Sequence, residues 1–407
     1  MQRFQAFMFE LMPTDEQRRD MCCYAGSCRF VYNKALALQK ENYEAGGKFI
    51  GYVAMAKRLT EWRNDLETGW LKDAPVHALQ HSLRNLEQAY KNFFAKRSAF
   101  PCFKKKGSRD SFRYPDRKQI KLDQVNSRIF LPKLGWVRYR NSRDVLGELR
   151  HVTVSLRAGR WFVSVQTECR VENPVPQATS AIGVDVDVGV TRFATFSDGT
   201  FVPPVNSFRR HEAQLRRAQQ SLSRKTKYSN NWKKAKAKIQ RLHFRIGNVR
   251  RDFLHKVTTT ISQNHAMVCV EDLRVQNMSG SAAGSITRPG RNVRGKAGLN
   301  KSILDQGWFE FRRQLEYKLT WSGGWLVAVQ PRNTSRTCPR CGYISRDSRV
   351  TQARFVCVDC RFEEHADVVG ALNVLARGHR VAACGERVQL GRSVKQEPTE
   401  VAVRLIV

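Results

Sequence analysis

Residues 181–199 read AIGVDVDVGVTRFATFSDG, and this stretch sets the pattern of the chain's second half. An apolar strand is expected over 182–188, a partner strand over 191–196, and a turn at Asp198-Gly199. Side chains alternate along a strand, so Asp185 and Asp187 share one face about 6–7 Å apart. Carboxylates inside so apolar a strand are costly unless they meet a cation. Two further acids stand in similar places. Glu271 ends the apolar run AMVCVE, and Asp367 opens the helical segment ADVVGALNVL. Carboxylates from separate elements that converge on hard cations are what Mg2+-dependent phosphodiester cleavage requires. Acids paired with nearby Arg or Lys would look the same from spacing alone.

Downstream lies the most specific signal in the chain. Cys338-Pro-Arg-Cys341 and Cys357-Val-Asp-Cys360 are two C-x-x-C knuckles separated by 15 residues. Four thiolates at such spacing close a tetrahedral shell around one structural zinc ion, with no position left for a reacting water. The other cysteines are scattered or apolar in setting and read as inert.

Upstream, residues 174–180 read as a linker, and before it the pattern changes. Residues 3–11 read as a strand. Thr14 with Gln17 forms a capping box that opens a helix to about residue 43, ended by Gly46-Gly47. Helices follow over 52–62 and 75–94, the latter with Leu79, Leu83, Leu86, Tyr90 and Phe93 on one core stripe. Residues 100–114, FPCFKKKGSRDSFRY, interleave Lys104, Lys105 and Lys106 with aromatics. Such a run could track a phosphate backbone while its rings stack on bases, although a solvated loop with buried anchors has the same composition. From 120 to 171 the chain is strand-rich, with a turn at Ala158-Gly159. A β-barrel built from this segment and the first strand is expected.

Charge narrows the partner. The 407 residues hold 71 Lys and Arg against 36 Asp and Glu, a formal +35. So basic a chain calls for a polyanion, and phosphate backbones are the usual one. Sixteen Lys or Arg against two acids lie between Asn206 and Lys256. There a helix with Ala235, Ile239, Leu242, Ile246, Val249 and Phe253 on one stripe leaves Lys233, Lys234 and Lys236 off it. No stretch reaches the roughly 20 apolar residues of a membrane span, and the N-terminus lacks a signal peptide's features, so an intracellular protein is expected. Residues 278–296, rich in Gly, Ser and Arg, read as a mobile loop. Trp308, Phe311, Leu315 and Leu319 mark a helix ahead of a strand at 325–329.

The segments GVDVDVGVTRFATFSDGT, RRDFLHKVTTTISQNHAMVCVEDL, NKSILDQGWFEFRRQLEYK, NTSRTCPRCG and ADVVGALNVL resemble those of the transposon-encoded TnpB nucleases, relatives of the compact type V CRISPR effectors. The resemblance extends to FVYNKALALQ and LQHSLRNLEQAYKNFF in the first quarter. It implies an α+β multidomain protein. Residues 1–12 and 115–173 would form a wedge-type β-barrel, with 13–114 as a helical recognition insert. Residues 181–333 and 362–380 would form an RNase H-like (RuvC) α/β nuclease domain, interrupted by a zinc ribbon at 334–361. Residues 381–407 would be a disordered tail.

By the same resemblance the chain binds a guide RNA from the transposon end and cuts target double-stranded DNA beside a short transposon-adjacent motif. Base pairing would read the sequence. The catalytic acids would be Asp187, Glu271 and Asp367, with a pair of Mg2+ ions. The family shows one Asp where this chain repeats Val-Asp. Asp187 keeps the family's distance to the Asp198-Gly199 turn and is favoured, with Asp185 as the alternative. Tyr52, His77 and Gln80 fall where family members read the adjacent motif. The protein would act as a monomer with its RNA in the prokaryotic cytoplasm, on the nucleoid when bound to DNA. A nuclease-dead repressor would show substituted acids, and a strand-joining DDE transposase fits the four-cysteine ribbon less well.

Overall fold

The computed structural model describes residues 1–172, 174–176, 180–185 and 192–383. The chain divides into two compact units, Met1–Asn173 with Gln214–Arg245, and Pro174–Ala213 with Ile246–Val407.

In the first unit, strand β1 (Gln2–Met12) buries Phe7, Phe9 and Leu11 on alternate positions. Thr14 then stops the strand and starts α1 (Asp15–Glu44). Its hydroxyl accepts from the Gln17 N–H at 3.2 Å, and the Gln17 side chain accepts from the Thr14 N–H at 3.1 Å. That reciprocal pair satisfies two otherwise unpaired backbone donors. Helices α2 (Tyr52–Asn64) and α3 (Val76–Phe94) follow. On α3, Leu79, Leu83, Leu86 and Tyr90 are buried, whereas Phe93 is only half-buried.

Six strands come next: β2 (Ser111–Tyr114), β3 (Lys121–Asp123), β4 (Arg128–Leu131), β5 (Gly135–Tyr139), β6 (Glu148–Arg157) and β7 (Arg160–Arg170). With β1 they form an antiparallel sheet of order β2-β6-β7-β1-β5-β4-β3. The β6–β7 turn at Ala158-Gly159 takes positive φ at both residues, 50° and 81°, which matches the twist of the paired strands. Strand β2 lies in the stretch expected to close the helical insert. Phe112 and Tyr114 alternate inward, and the strand pairs with β6. The basic residues around this short alternation hide it from a reading of sequence.

The second unit is built on a five-stranded sheet of order β10-β9-β8-β11-β12, from β8 (Ala181–Asp185), β9 (Ala194–Phe196), β10 (Phe201–Val202), β11 (Met267–Glu271) and β12 (Trp325–Val329). Strands β8, β11 and β12 run parallel, while β9 is antiparallel to β8. The long helices α4 (Ser207–Ser223) and α5 (Asn230–Asn264) connect β10 to β11, and both cross the division between the units. The start of α4 is capped from a distance: the Ser207 hydroxyl and the Phe208 N–H donate to buried Asp305 at 2.8 and 2.9 Å. Helices α6 (Val275–Met278), α7 (Val293–Gln306) and α8 (Trp308–Ser322) lie between β11 and β12. The segment expected to be loop to residue 296 is helical from Val293; α7 has no clear apolar stripe to announce it.

Beyond β12, strands β13 (Arg354–Val356) and β14 (Glu363–His365) form a hairpin, and α9 (Ala366–Ala383) closes the unit. The expected tail lies outside the described residues from 384 onward. Among the described residues no helix is long and apolar enough to cross a membrane.

The parallel strands pack on both faces. Ile182, Val184, Val268 and Val270 join Leu254, Phe311, Leu315 and Leu319 in one core. Met267, Cys269, Val327 and Val329 turn to the opposite face with Val374 of α9. Gly183, on that face, lets β8 approach the helix, since a Cβ there would run into the Ala371 carbonyl and meet Leu375 Cβ at 2.8 Å. Gly183→Ala should therefore destabilise the protein by ~1–3 kcal/mol through overpacking. Thermal unfolding should show a lower midpoint than for the parent chain.

Candidate functional site

Strand parity places two of the acids. Asp185 follows Gly183 at the end of β8, and Glu271 follows Cys269 at the end of β11, so both belong to the face that packs on α9. The strands are in register, with Val184 opposite Val270. The two carboxylates therefore occupy adjacent carboxyl ends of parallel strands, where open α/β sheets bind ligands. The third acid, Asp367, lies in the first turn of α9, where the helix's free N–H groups favour a negative charge. Asp185 reaches toward the same helix: a Cβ on Gly370, one turn after Asp367, would run into its Oδ2. Asp187 lies outside the described residues.

Each described acid has a distinct environment. Burial pushes the Glu271 carboxyl above the usual range, opposed by the Thr334 hydroxyl and the Arg377 charge. Thr334 Oγ1 donates to Glu271 Oε1 at 2.6 Å. Asp367 is 7% exposed, and its backbone N–H donates to His365 Nδ1 at 3.2 Å. The same nitrogen lies 3.6 Å from Asp367 Oδ2. Arg349 Nη2 stands 4.0 Å from Asp367 Oδ1, and Arg192 Nη1 lies 3.4 Å from the same histidine nitrogen.

The donors are all oxygens, as hard divalent cations prefer. Among the described residues, however, the three carboxylates do not form a group with all ligand atoms within 4.8 Å of one another.

The four cysteines do form such a group. Cys338 Sγ lies 3.6 Å from Cys360 Sγ, and Cys341 Sγ lies 3.6 Å from Cys357 Sγ. Disulfide sulfurs would lie about 2 Å apart. Zn–S bonds of about 2.3 Å in a tetrahedron put the sulfurs ~3.8 Å apart, so the cluster fits a zinc site. Burial raises the Cys357 thiol, but the Cys360 and Asp359 N–H groups and the neighbouring sulfurs bring it down to about 7. A thiolate is therefore within easy reach at neutral pH.

The remaining candidates lie in the first unit. Tyr52, His77 and Gln80 line one cavity of about 190 Å³ with His81, Arg84, Pro115 and Asp116. The Arg84 guanidinium lies over the Tyr52 ring at 4.7 Å. Burial, with help from Arg113, pushes His81 down to about 4, so its ring is neutral at physiological pH. Lys104, Lys105 and Lys106 are exposed, but Lys104 Nζ sits 4.0 Å over the Tyr32 ring and its N–H donates to Asn33. Lys233, Lys234 and Lys236 are exposed on α5, opposite the half-buried Ala235 and Ile239.

The contacts that hold Glu271 were missed from sequence. Thr334 is buried, and its carbonyl accepts from Asn373 Nδ2 at 2.7 Å. An Asn inside the apolar run of α9 is the signal that points to them, because a buried amide needs partners.

Comparison with known proteins places these elements. The family described as "Probable transposase" matches residues 164–282, and "Cas12f1-like, TNB domain" matches 308–374. A "Helix-turn-helix domain" family matches 1–48, although that stretch here is β1 followed by the uninterrupted α1. A protein of Escherichia coli K12 named "Putative RNA-guided DNA endonuclease InsQ" is 58% identical over 401 residues, covering 98% of this chain and 99% of that one. A "Putative RNA-guided DNA endonuclease" of Streptomyces pristinaespiralis is 36% identical, covering 97% and 96%. Among solved structures, a Cas12f1–sgRNA–target DNA complex is similar at a TM-score of 0.50 and 12% identity, over 92% of this chain and 98% of that one.

The thiolate geometry predicts one tightly held zinc ion per chain. Cys338→Ser and Cys360→Ser should each release it and lower the unfolding temperature, because metal-binding and folding free energy are shared in such sites. Elemental analysis that finds no zinc in the parent protein would refute this.

Proposed function

The chain belongs to the TnpB family of RNA-guided DNA endonucleases, and from that premise we propose that it holds a guide RNA from its transposon end and cuts target double-stranded DNA beside a short adjacent motif by Mg2+-dependent hydrolysis. We read the five-stranded sheet as an RNase H-like (RuvC) core and the four-cysteine unit as its inserted zinc ribbon. The seven-stranded sheet is read as a wedge barrel carrying a helical recognition insert. One observation carries the reading: two acids end adjacent parallel strands on the face covered by the helix that bears the third.

Asp185, Glu271 and Asp367 supply oxygen donors at this centre. Asp185 approaches Gly370 of the helix that bears Asp367, which supports it as the first acid. Asp187, favoured by its distance to the Asp198-Gly199 turn, lies outside the described residues and is the alternative. Divalent ions held there supply charge that activates water and steadies the leaving oxygen. Thr334 keeps the Glu271 carboxylate in place before any ion arrives.

Recognition falls to the first unit and the basic hairpin. Tyr52, His77 and Gln80 present an aromatic edge, an imidazole and an amide to one cavity, a set suited to base edges of the adjacent motif. The exposed lysines of α5 serve backbone phosphates. A nuclease-dead repressor is disfavoured because an acid survives at every expected position.

Strand-cleavage assays on single variants test the assignment. Asp185→Ala, Glu271→Ala and Asp367→Ala should each reduce cutting to background and leave RNA-guided DNA binding intact, while Asp187→Ala should keep measurable cutting. The reverse result for the two N-terminal acids would make Asp187 the first acid. Replacing Lys233, Lys234 and Lys236 together by Gln should flatten the log–log salt dependence of nucleic-acid binding by up to roughly one unit for each phosphate no longer neutralised. An unchanged slope would identify those lysines as a solvated face.

A further inference from the structure

Glu271 does not stand alone at the end of its strand. Thr334, in the segment that leaves β12, donates its hydroxyl to Oε1 at 2.6 Å. The Pro331 carbonyl lies 3.0 Å from the same hydroxyl oxygen. A hydroxyl has one proton to give, and a carboxylate at the shorter distance takes it in preference to a neutral carbonyl. Thr334 is 4% exposed, so water does not readily replace it.

The segment that carries Thr334 is itself held by α9. Asn373 Nδ2 donates to the carbonyls of Thr334 and Thr337, both at 2.7 Å. Arg377, one turn later, donates to the carbonyls of Gln330 and Arg332 at 2.8 and 2.6 Å. Two side chains thus fix four carbonyls between Gln330 and Thr337. The helix that makes this clamp is the one that carries Asp367. One rigid element therefore places one carboxylate directly and a second through Thr334.

We propose that Thr334 is a positioning residue for Glu271, held in place by Asn373 and Arg377, and that it sets the affinity of the acidic centre for divalent cations. The inference rests on the nuclease reading for its activity arm, while its metal-binding arm is independent of cleavage. A carboxylate with one oxygen tied back presents the other to an ion without having to order itself first. Removal of such an outer partner commonly costs about 10–100-fold in metal affinity.

The test uses guide-loaded full-length protein with Thr334→Val, which keeps the volume and removes the hydroxyl, and Thr334→Ser, which restores it. Mn2+ is the probe, titrated without target DNA and followed by electron paramagnetic resonance. Thr334→Val should weaken Mn2+ binding about tenfold or more and raise the Mn2+ concentration for half-maximal cleavage by a similar factor. Zinc content and guided DNA binding should stay at parent values. Thr334→Ser should return both Mn2+ readouts to within about threefold of the parent.

Parent-like Mn2+ binding by Thr334→Val, or Thr334→Ser as weak as Thr334→Val, would overturn the proposal. A parent protein that binds Mn2+ but cuts no DNA would overturn the nuclease reading instead, and the titrations would still decide the role of Thr334.

Discussion

The packing of α9 on the central strands constrains the rest of the second unit. At three positions the helix and sheet come so close that a Cβ would collide: Gly183 against the Ala371 carbonyl, Gly370 against the Asp185 carboxylate, and Gly378 against the Cys269 sulfur. A close-packed interior does not yield by fractions of an ångström at no cost. The helix therefore has one seat. From it, Asp367, Asn373 and Arg377 acquire fixed relations to the strand ends, and a site made from distant segments acquires a shape.

This packing also explains where polarity is tolerated. Val327, Val329, Val374 and the sheet face beneath them are apolar, yet Glu271, Thr334, Asp367 and Asn373 lie close by. They persist because each has a partner: a hydroxyl for Glu271, carbonyls for Asn373, an imidazole, near an arginine, beside Asp367. The burial that lifts the Glu271 carboxyl is the other side of the same arrangement. A carboxylate poorly solvated by water has more to gain from a cation than one in bulk solvent.

What was legible in the sequence followed the range of the interaction. Thr14 and Gln17 announced the start of α1, and Ala158-Gly159 announced a hairpin, because both signals are complete within four residues. The cysteine pairs were legible for the same reason, since each knuckle is local and only the closure of the cluster is not. The acids could be singled out as charges in apolar strands, but spacing could not show whether they meet. Thr334 and Asn373 were invisible as a pair because 39 residues separate them and neither residue type is rare. The short β2 was obscured by the basic residues around it, and α7, with only Ile303, Asp305 and Gln306 buried, has too narrow a core face to show a period. Both long helices of the basic hairpin cross from one unit to the other, which no linear division of the chain could show.

The clamp from α9 also imposes a timetable on synthesis. Glu271 emerges from the ribosome about a hundred residues before Asn373, an interval of roughly 5–20 s at ordinary elongation rates of about 5–20 residues per second. At the start of that interval β11 has its neighbour β8; β12 and the cysteine unit follow within it, and the helix that covers its polar end comes last. The first unit, completed by Gln214–Arg245, has all its pieces well before then. A nascent chain thus holds all the residues of its first unit, with their positive charge, while its acidic centre is still in parts.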